Sequence, residues 1–220
     1  MWIIELFGTI PVLNLRKSPL DSDLARVGKR GFDIVFSFLV IIFLLSWLVP
    51  LLLIILKLES KGPLFFTQLR HGCNKKVFKC YKFRTMTPNG DANKTMCTKN
   101  DSRITKIGKI LRKTSIDELP QFFNVFLGDM SVVGPRPHME THTLQYETSV
   151  DKYLVRHFVK PGVTGLAQIK GYRGEIIKKT DIINRVRMDV FYIEKWCLML
   201  DIKIIYFTIL NGIKGEEKAY

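Results

Sequence analysis

The pattern of apolar and polar positions divides the chain unevenly. From Ile34 to Leu56 runs IVFSFLVIIFLLSWLVPLLLIIL, 23 residues without a charge, which is long enough for a helix to cross a hydrocarbon core. Pro50 removes a backbone donor and crowds the preceding turn, and Ser46 stands one turn earlier with a hydroxyl for the freed carbonyls. The pattern therefore predicts a break near residues 46–50. Arg16, Lys17, Arg26, Lys29 and Arg30 precede the segment, and Lys57, Lys61, Arg70, Lys75 and Lys76 follow it. Positive charge normally marks the cytoplasmic flank of a membrane segment, and here it marks both flanks. Two topologies satisfy this pattern: a kinked spanning helix, and a re-entrant helix-break-helix that enters and leaves one leaflet.

After the turn at Gly62-Pro63 the periodicity changes. Val77 to Arg84, VFKCYKFR, reads as a strand with Phe78, Cys80, Lys82 and Arg84 on one face, so that two cations project side by side. Such a pair serves a phosphate site or a solvated strand face equally well. Thr87 to Asn100 is polar and turn-rich, which predicts a mobile loop. Between Arg103 and Lys113, Ile104, Ile107 and Leu111 recur at helical spacing with Lys106, Lys109 and Lys113 largely opposite. This predicts a basic amphipathic helix, packed on a core or laid against lipid headgroups.

The run TSIDELPQFFNVFLGDMSVVGPRP follows. Ser115 and Glu118 have capping-box spacing, which predicts Asp117 and Glu118 in the first turn of a helix near the positive end of its dipole. That position also offers N–H groups to a phosphate, but on pattern alone helix capping is the commoner use of an adjacent Asp-Glu. Arg136 stands between two prolines, on backbone suited to a preorganised phosphate clamp. Pro161 to Gly165, PGVTG, is a second rigid turn, and Asp189 to Leu210 reads as one mostly buried or interfacial helix. There is no internal repeat, P-loop, GxGxxG or Ser-His-Asp constellation.

Composition narrows the choices further. With 47% hydrophobic and 25% charged side chains over 220 residues the chain is not disordered, and 9 Pro, 15 Gly and 4 Cys exclude collagenous and disulfide-dense scaffolds. Residues 1–113 hold 20 basic and 7 acidic side chains, nearly all of the net charge of +14. A polyanionic partner is implied: nucleic acid, an anionic membrane or a phosphate-rich substrate. Cys73, Cys80, Cys97 and Cys197 show no CxxC spacing and read as free thiols in a reducing compartment. His138 and His142 in HMETH lack the zincin glutamate in its place and follow Pro135 and Pro137, so no metal is read there. Asn93-Lys94-Thr95 is a glycosylation sequon by pattern only.

The ordered motifs KRGFD, KLESKGPLFFTQ, FKCYKFRTM, SRITKIGKILRKTSIDELPQFFNVFLGDMSVVGPRP, KPGVTGLAQIKGYRG and DVFYIEKWCLMLDIKII run from Lys29 to near the C-terminus. In them the chain resembles the bacterial polyprenyl-phosphate phosphoglycosyl transferases. The last two motifs, with His138 after GPRP, are most similar to the undecaprenyl-phosphate glucose phosphotransferase-like branch. Residues 6–20 resemble the linker before its catalytic core, and the multi-helix region usual further upstream is not present in this sequence, so the chain is expected to be a catalytic core.

The resemblance implies a helix-rich α+β fold in a monotopic membrane protein. Residues 1–28 would be a linker and amphipathic lead-in, 29–60 a re-entrant membrane helix hairpin, and 61–220 a small catalytic domain with membrane-surface helices. The location implied is the cytoplasmic face of the bacterial inner membrane. The adjacent Ser-Pro pair that breaks the helix in smaller members is replaced here by separated Ser46 and Pro50.

The reaction implied is transfer of a sugar 1-phosphate from a UDP-sugar to undecaprenyl phosphate with release of UMP. Asp117 matches the family's nucleophile and Glu118 its Mg²⁺ ligand. Lys82, Arg84, Arg112 and Arg136 fall at basic positions that would clamp phosphates. Gln168, Arg173 and Asp189 also lie in shared motifs and are expected to bind substrate. The partners implied are the two substrates and inner-membrane lipids, without nucleic acid and with a homodimer as a further expectation. A membrane-anchored scaffold or binding module for anionic lipid or nucleic acid accounts for charge and the apolar segment, but gives no reason for DELPQ or GPRP.

Overall fold

The computed structural model describes residues 2–7, 10–15, 18–87, 101–174, 176 and 178–214. The loop expected at 87–100, with Cys97 and the sequon at Asn93, lies outside the described residues apart from Thr87. Strands β1 (Trp2–Phe7) and β2 (Ile10–Leu15) pair as an antiparallel hairpin. The chain then makes a short turn at Pro19–Asp21, closed by a capping box in which Ser18 Oγ accepts from the Leu20 N–H and Asp21 accepts from the Ser18 N–H.

A continuous helix of 37 residues follows, Asp23–Glu59. It comprises α1 (Asp23–Val40), a wide π turn at Ile41–Leu45, and α2 (Ser46–Glu59), which contains Pro50. The break expected at 46–50 is thus replaced by wider winding one turn earlier. Ser46 Oγ donates to the Ile42 carbonyl at 2.5 Å and Trp47 Nε1 to the Phe43 carbonyl at 2.9 Å, so carbonyls loosened by the irregular winding keep donors.

The helix is amphipathic in the inverse sense to a soluble one. In α1 the buried positions are Lys29, Asp33 and Ser37, whereas Val27, Val35, Phe38 and Leu39 are exposed. In the second half Leu45, Leu48, Leu52 and Leu56 pack inward, and Phe43, Trp47, Ile54 and Leu58 face out. An exposed apolar face of this length is compatible with membrane anchoring.

Both ends of the helix are tied to the same body. Lys29 Nζ donates to Asp201 Oδ2 (2.7 Å), Tyr192 Oη (3.1 Å) and the Val133 carbonyl (3.1 Å). Asp33 Oδ1 accepts from Ser131 Oγ (3.0 Å) and the Val132 N–H (2.9 Å). At the other end, Glu59 Oε1 accepts from the Ile107 N–H at 3.0 Å.

Beyond the helix, β3 (Phe65–His71) and β4 (Val77–Phe83) form an antiparallel ribbon that pairs Phe66 with Lys82. Helix α3 (Lys106–Lys113) is capped by the Thr105 side chain, which accepts from the Gly108 N–H, and its Lys106, Lys109 and Lys113 are exposed while Leu111 is buried. Next come α4 (Gln121–Leu127), β5 (Ser131–Val133), α5 (Glu140–Glu147), β6 (Gly162–Thr164) and α6 (Leu166–Ile169). The helix expected at 189–210 is two helices, α7 (Lys179–Lys195) and α8 (Leu198–Lys214). They part at Trp196, whose backbone is extended and whose indole N–H donates to Asp201 Oδ2 at 3.0 Å. The architecture is a helix-rich α+β mixture, with three two-stranded sheets among the described residues.

The main core gathers Leu45, Leu48, Leu52 and Leu56 with Phe78, Phe83, Phe122, Val125 and Val132. A smaller cluster of Val150, Tyr153, Ile182 and Val186 supports the far side. Strands β5 and β6 run parallel, with Ser131 opposite Gly162 and Val133 opposite Thr164. The segment expected to be a rigid turn at 161–165 is instead mostly strand β6, and it meets the GPRP segment backbone to backbone: the Gly134 N–H donates to the Thr164 carbonyl (2.9 Å), and the Gly162 N–H to the Pro135 carbonyl (2.9 Å). A Cβ on Gly162 would collide with the Gly134 amide nitrogen. Gly162→Ala should therefore lower stability by about 1–3 kcal/mol, the usual cost of overpacking a fixed contact, measured as a lowered thermal midpoint of the purified protein; an unchanged midpoint would show that the two segments separate freely.

Candidate active site

The site forms where β4, the end of α3 and the GPRP and PGVTG segments meet. Ser115 takes a left-handed conformation (φ 59°), and the chain then makes a single 3₁₀ turn, Ile116–Glu118, before α4 begins. The capping box expected from Ser115 and Glu118 does not form. Ser115 makes no side-chain cap bond, and the Glu118 carboxylate turns away from the backbone toward cations.

Those cations come from three separate segments. Lys82 Nζ, from β4, donates to Glu118 Oε1 at 2.8 Å. Arg136, between its prolines, bonds both oxygens, 2.6 Å to Oε1 and 3.0 Å to Oε2. Arg173 Nη2, beyond α6, reaches Oε2 at 3.2 Å. Each oxygen thus accepts two bonds, the full complement of lone-pair positions of a carboxylate. Burial would raise the Glu118 pKa, but Arg136, Lys82 and Arg173 outweigh it and hold the group well below the usual carboxylate range. Glu118 in turn overrides the burial that would lower the Arg136 pKa and holds its guanidinium above its ordinary value.

Asp117 differs from its neighbour. It is 9% exposed, and burial pushes its carboxyl up to about 6, against the pull of Lys82 and with the Glu118 charge adding to the rise. Arg112 and Arg173 also act to lower it. Adjacent carboxylates thus have opposite properties, one locked as an anion and one poised to titrate near neutrality.

The other expected residues divide. Arg112 lies beside the site, with Nε donating to Thr85 Oγ1 at 2.8 Å. Its helix is pressed onto this segment because Gly108 sits directly against the Thr85 carbonyl. Arg84 departs from expectation. The buried positions of β4 are Phe78, Cys80 and Phe83, so strict alternation is lost after Cys80 and Lys82 and Arg84 part company. Arg84 Nη2 instead donates to the carbonyls of Leu56 (2.9 Å) and Ser60 (2.8 Å), closing the C-terminus of the membrane-type helix.

Asp189 also lies off the carboxylate pair. It is 2% exposed and accepts from Arg156 Nη2 at 2.8 Å. Gln168 is 6% exposed, with Nε2 donating to the Val163 carbonyl at 3.2 Å. Arg156 and Arg70, both bonded to the GPRP segment, were missed in the sequence, because neither sits in a motif or a local pattern that distinguishes it from other basic residues. His138 is buried between Tyr153, Arg156 and Arg185.

A cavity of about 370 Å³ opens from Glu118, Arg173 and Gln168. Its wall is apolar, made by Phe36, Val40 and Leu44 of the long helix and Ile205 and Ile209 of α8. An end lined by Glu118 and Arg173 thus continues into an apolar end. Among the described residues no group of three or more His, Cys, Asp or Glu could by itself hold a metal ion. With both Glu118 oxygens filled by Lys82, Arg136 and Arg173, this carboxylate has no lone pair left for a hard divalent ion unless those cations move to another anion.

Comparison with known proteins agrees with this geometry. Residues 24–215 match the model of the family described as bacterial sugar transferase. The chain is 48% identical over 217 residues to a UDP-glucose:undecaprenyl-phosphate glucose-1-phosphate transferase of Klebsiella pneumoniae, covering 97% of this chain and 46% of that protein. It is 44% identical over 214 residues to the protein of the same name in Escherichia coli K12, covering 97% and 46%. A UDP-N-acetylgalactosamine-undecaprenyl-phosphate N-acetylgalactosaminephosphotransferase of Aeromonas hydrophila is 39% identical over 200 residues, covering 90% and 46%. The chain spans less than half the length of these relatives. With nearly all of its own length inside the match, and with the residues of the shared motifs Lys82, Glu118, Arg136 and Arg173 drawn into one cluster, the chain belongs to the bacterial sugar transferase family.

Proposed function

We propose that the chain transfers a sugar 1-phosphate, most simply that of a hexose, from a UDP-sugar to undecaprenyl phosphate at the cytoplasmic face of the bacterial inner membrane. The observation that carries this reading is the cavity that joins Glu118 and Arg173 to an apolar wall supplied partly by the long helix. Such a cavity accepts a molecule with an anionic head and a hydrocarbon tail. The relatives' names, which specify undecaprenyl phosphate and UDP-sugars, supply the substrates.

In this mechanism the carboxylate of Asp117 attacks the β-phosphorus of the donor. A bond forms from Asp117 to that phosphorus, the bridging P–O bond breaks, and UMP leaves with the electron pair. An oxygen of the lipid phosphate then attacks the same phosphorus and displaces Asp117, giving the sugar-diphospho-lipid and restoring the carboxylate. Lys82, Arg112, Arg136 and Arg173 neutralise the phosphates that must approach a carboxylate. Glu118 keeps three of these cations gathered before the donor arrives, and the diphosphate offers them alternative partners. Magnesium belongs to this reading. Held by Glu118 once Lys82, Arg136 and Arg173 have shifted to the donor phosphates, it would add charge neutralisation on the leaving UMP.

The helix enters the same reading as a re-entrant anchor. Its polar stripe is buried in protein, its apolar face is exposed, and its two ends bond one body. Ends held 30 residues apart on one domain favour a single side of the membrane over a crossing. Single cysteines placed at Ser22 and Lys75, in a background lacking the native thiols, should both be labelled from the cytoplasm in inverted vesicles and neither from outside intact cells. Opposite accessibility would refute the re-entrant topology.

The nucleophile is tested by Asp117→Asn. With donor labelled in the β-phosphate and no lipid acceptor, the wild type should carry the label on the protein and the variant should not, with turnover reduced by at least about 10³-fold. Label on the variant would rule out Asp117 as the attacking group. Chelation of divalent ions should abolish UMP release by the wild type, and release that persists in excess chelator would remove the metal from the scheme.

The same variant separates chemistry from capping through stability. A group whose folded pKa is raised from 3.8 to about 6 binds more protons folded than unfolded between those values, so stability falls as pH rises through that window. Asp117→Asn removes this loss and should be more stable than the wild type at pH 7.5 by about 1–3 kcal/mol, with the difference shrinking toward pH 4. A capping role predicts the reverse, a variant about 1 kcal/mol less stable at pH 7.5, and chemical denaturation at the two pH values decides between them. In activity, kcat should fall below about pH 6 as Asp117 protonates.

A further inference from the structure

Arg136 is held by its own backbone as much as by Glu118. Pro135 and Pro137 lack N–H groups, so the GPRP segment cannot join a sheet ladder, and its carbonyl oxygens must find donors elsewhere. Each of the four successive carbonyls from Pro135 to His138 has one. The Gly162 N–H takes the Pro135 oxygen (2.9 Å), and the His71 N–H the His138 oxygen (3.2 Å). The two between them are taken by side chains, the buried Arg156 and the half-buried Arg70: Arg156 Nη2 donates to the Arg136 carbonyl at 2.9 Å, and Arg70 Nη1 to the Pro137 carbonyl at 3.0 Å.

Arg156 is itself fixed. Its Nη2 also donates to Asp189 Oδ2 at 2.8 Å, with both side chains 2% exposed. Its Nη1 lies 2.6 Å from His138 Nδ1, and its guanidinium carbon stands 5.2 Å from the centre of the Tyr153 ring. Since an arginine only donates, His138 Nδ1 is the acceptor of this contact. A guanidinium held on so many sides has one orientation, and the carbonyl it grips belongs to the residue that bonds both oxygens of Glu118.

We propose that Arg156, anchored by Asp189, is the positioning residue that aims the Arg136 guanidinium at the anion site. The proposal rests on the reading of that site as the place of sugar-phosphate transfer. It also gives Asp189 a role one step removed from substrate. The pair was invisible in sequence because its members are 33 positions apart and act on a third segment.

A double-mutant cycle in the membrane-reconstituted protein tests this. Arg156→Gln should lower kcat/KM for UDP-glucose by about tenfold or more. In an Arg136→Lys background the same change should cost less than about twofold, because nothing is left to aim. Equal losses in both backgrounds would overturn the proposal.

A second readout covers variants that fold poorly and a wild type that transfers no sugar. Inorganic pyrophosphate should raise the thermal midpoint of the wild type. Arg156→Lys, which keeps the charge but cannot span both acceptors, should retain its own midpoint within a few degrees and lose most of the pyrophosphate-induced rise. A full rise in that variant, or a loss no larger than its drop in intrinsic midpoint, would reduce Arg156 to a structural role. If the wild type releases no UMP from any UDP-sugar, the transfer reading fails, while the pyrophosphate arm still decides whether Arg156 positions Arg136.

Discussion

Four hydrogen bonds to one carboxylate organise this protein. Glu118 draws Lys82, Arg136 and Arg173 to a single point, and those residues arrive from a β-ribbon, a double-proline turn and the segment after a short helix. Gathering three cations without an anion among them would be strongly unfavourable in a partly buried site, so Glu118 is the condition for their proximity. The arrangement also explains the contrast within the carboxylate pair. Every lone pair of Glu118 is satisfied and its charge is locked, whereas Asp117 has burial without equivalent compensation and sits close to neutrality. Opposed environments at neighbouring carboxyl groups separate an electrostatic role from a reactive one.

The second constraint is that the site and the long helix share one core. Asp33 and Lys29, on the buried face of α1, bond Ser131, Val132 and Val133 of β5, and β5 leads directly into Gly134-Pro135-Arg136. At the other end, Glu59 bonds the first turn of α3, the helix that carries Arg112. A long helix with an exposed apolar face and an inward polar stripe therefore supports both flanks of the carboxylate cluster. This accounts for charged residues next to an uncharged stretch of 23 residues: Lys29, Asp33 and Glu59 bond the body of the protein, where a buried polar group without a partner would be costly.

Local sequence was most informative where its signal is local. The uncharged stretch, the amphipathic run ending at Lys113, the strand starting at Val77 and the proline-fixed GPRP segment could all be read directly, because hydrophobic periodicity and proline act over a few residues, whereas PGVTG, read as a turn, is strand β6, formed by pairing with β5. Family motifs placed Lys82, Asp117, Glu118, Arg136 and Arg173 in one site, and the fold gathers Lys82, Arg136 and Arg173 on Glu118 with Asp117 beside it. Local rules misled where a tertiary partner outbid them. The Ser115-Glu118 spacing signals a capping box, but three cations claim the glutamate. Helical periodicity runs through Trp196, yet its indole bonds Asp201 and the chain divides into α7 and α8. Pro50 signals a break, but α2 runs through it, and the irregular winding lies earlier, as a π turn at Ile41–Leu45.

Residue type, spacing and hydropathy thus determined the apolar segment, the basic character of the first half and the inventory of site chemistry, since each depends only on neighbours along the chain. Which cations meet which carboxylate was decided by tertiary structure alone. Lys82 and Arg84 are two positions apart, but one bonds Glu118 and the other closes a helix, because β4 ends between them at the buried Phe83. Asp189 lies in a sequence motif but Arg156 does not, and nothing local pairs the two. Their ion pair forms where α7 and the segment Tyr153–Phe158 pack against the back of the GPRP segment, whose Arg136 carbonyl is taken by the Arg156 side chain, and such a requirement appears only once the chain has folded.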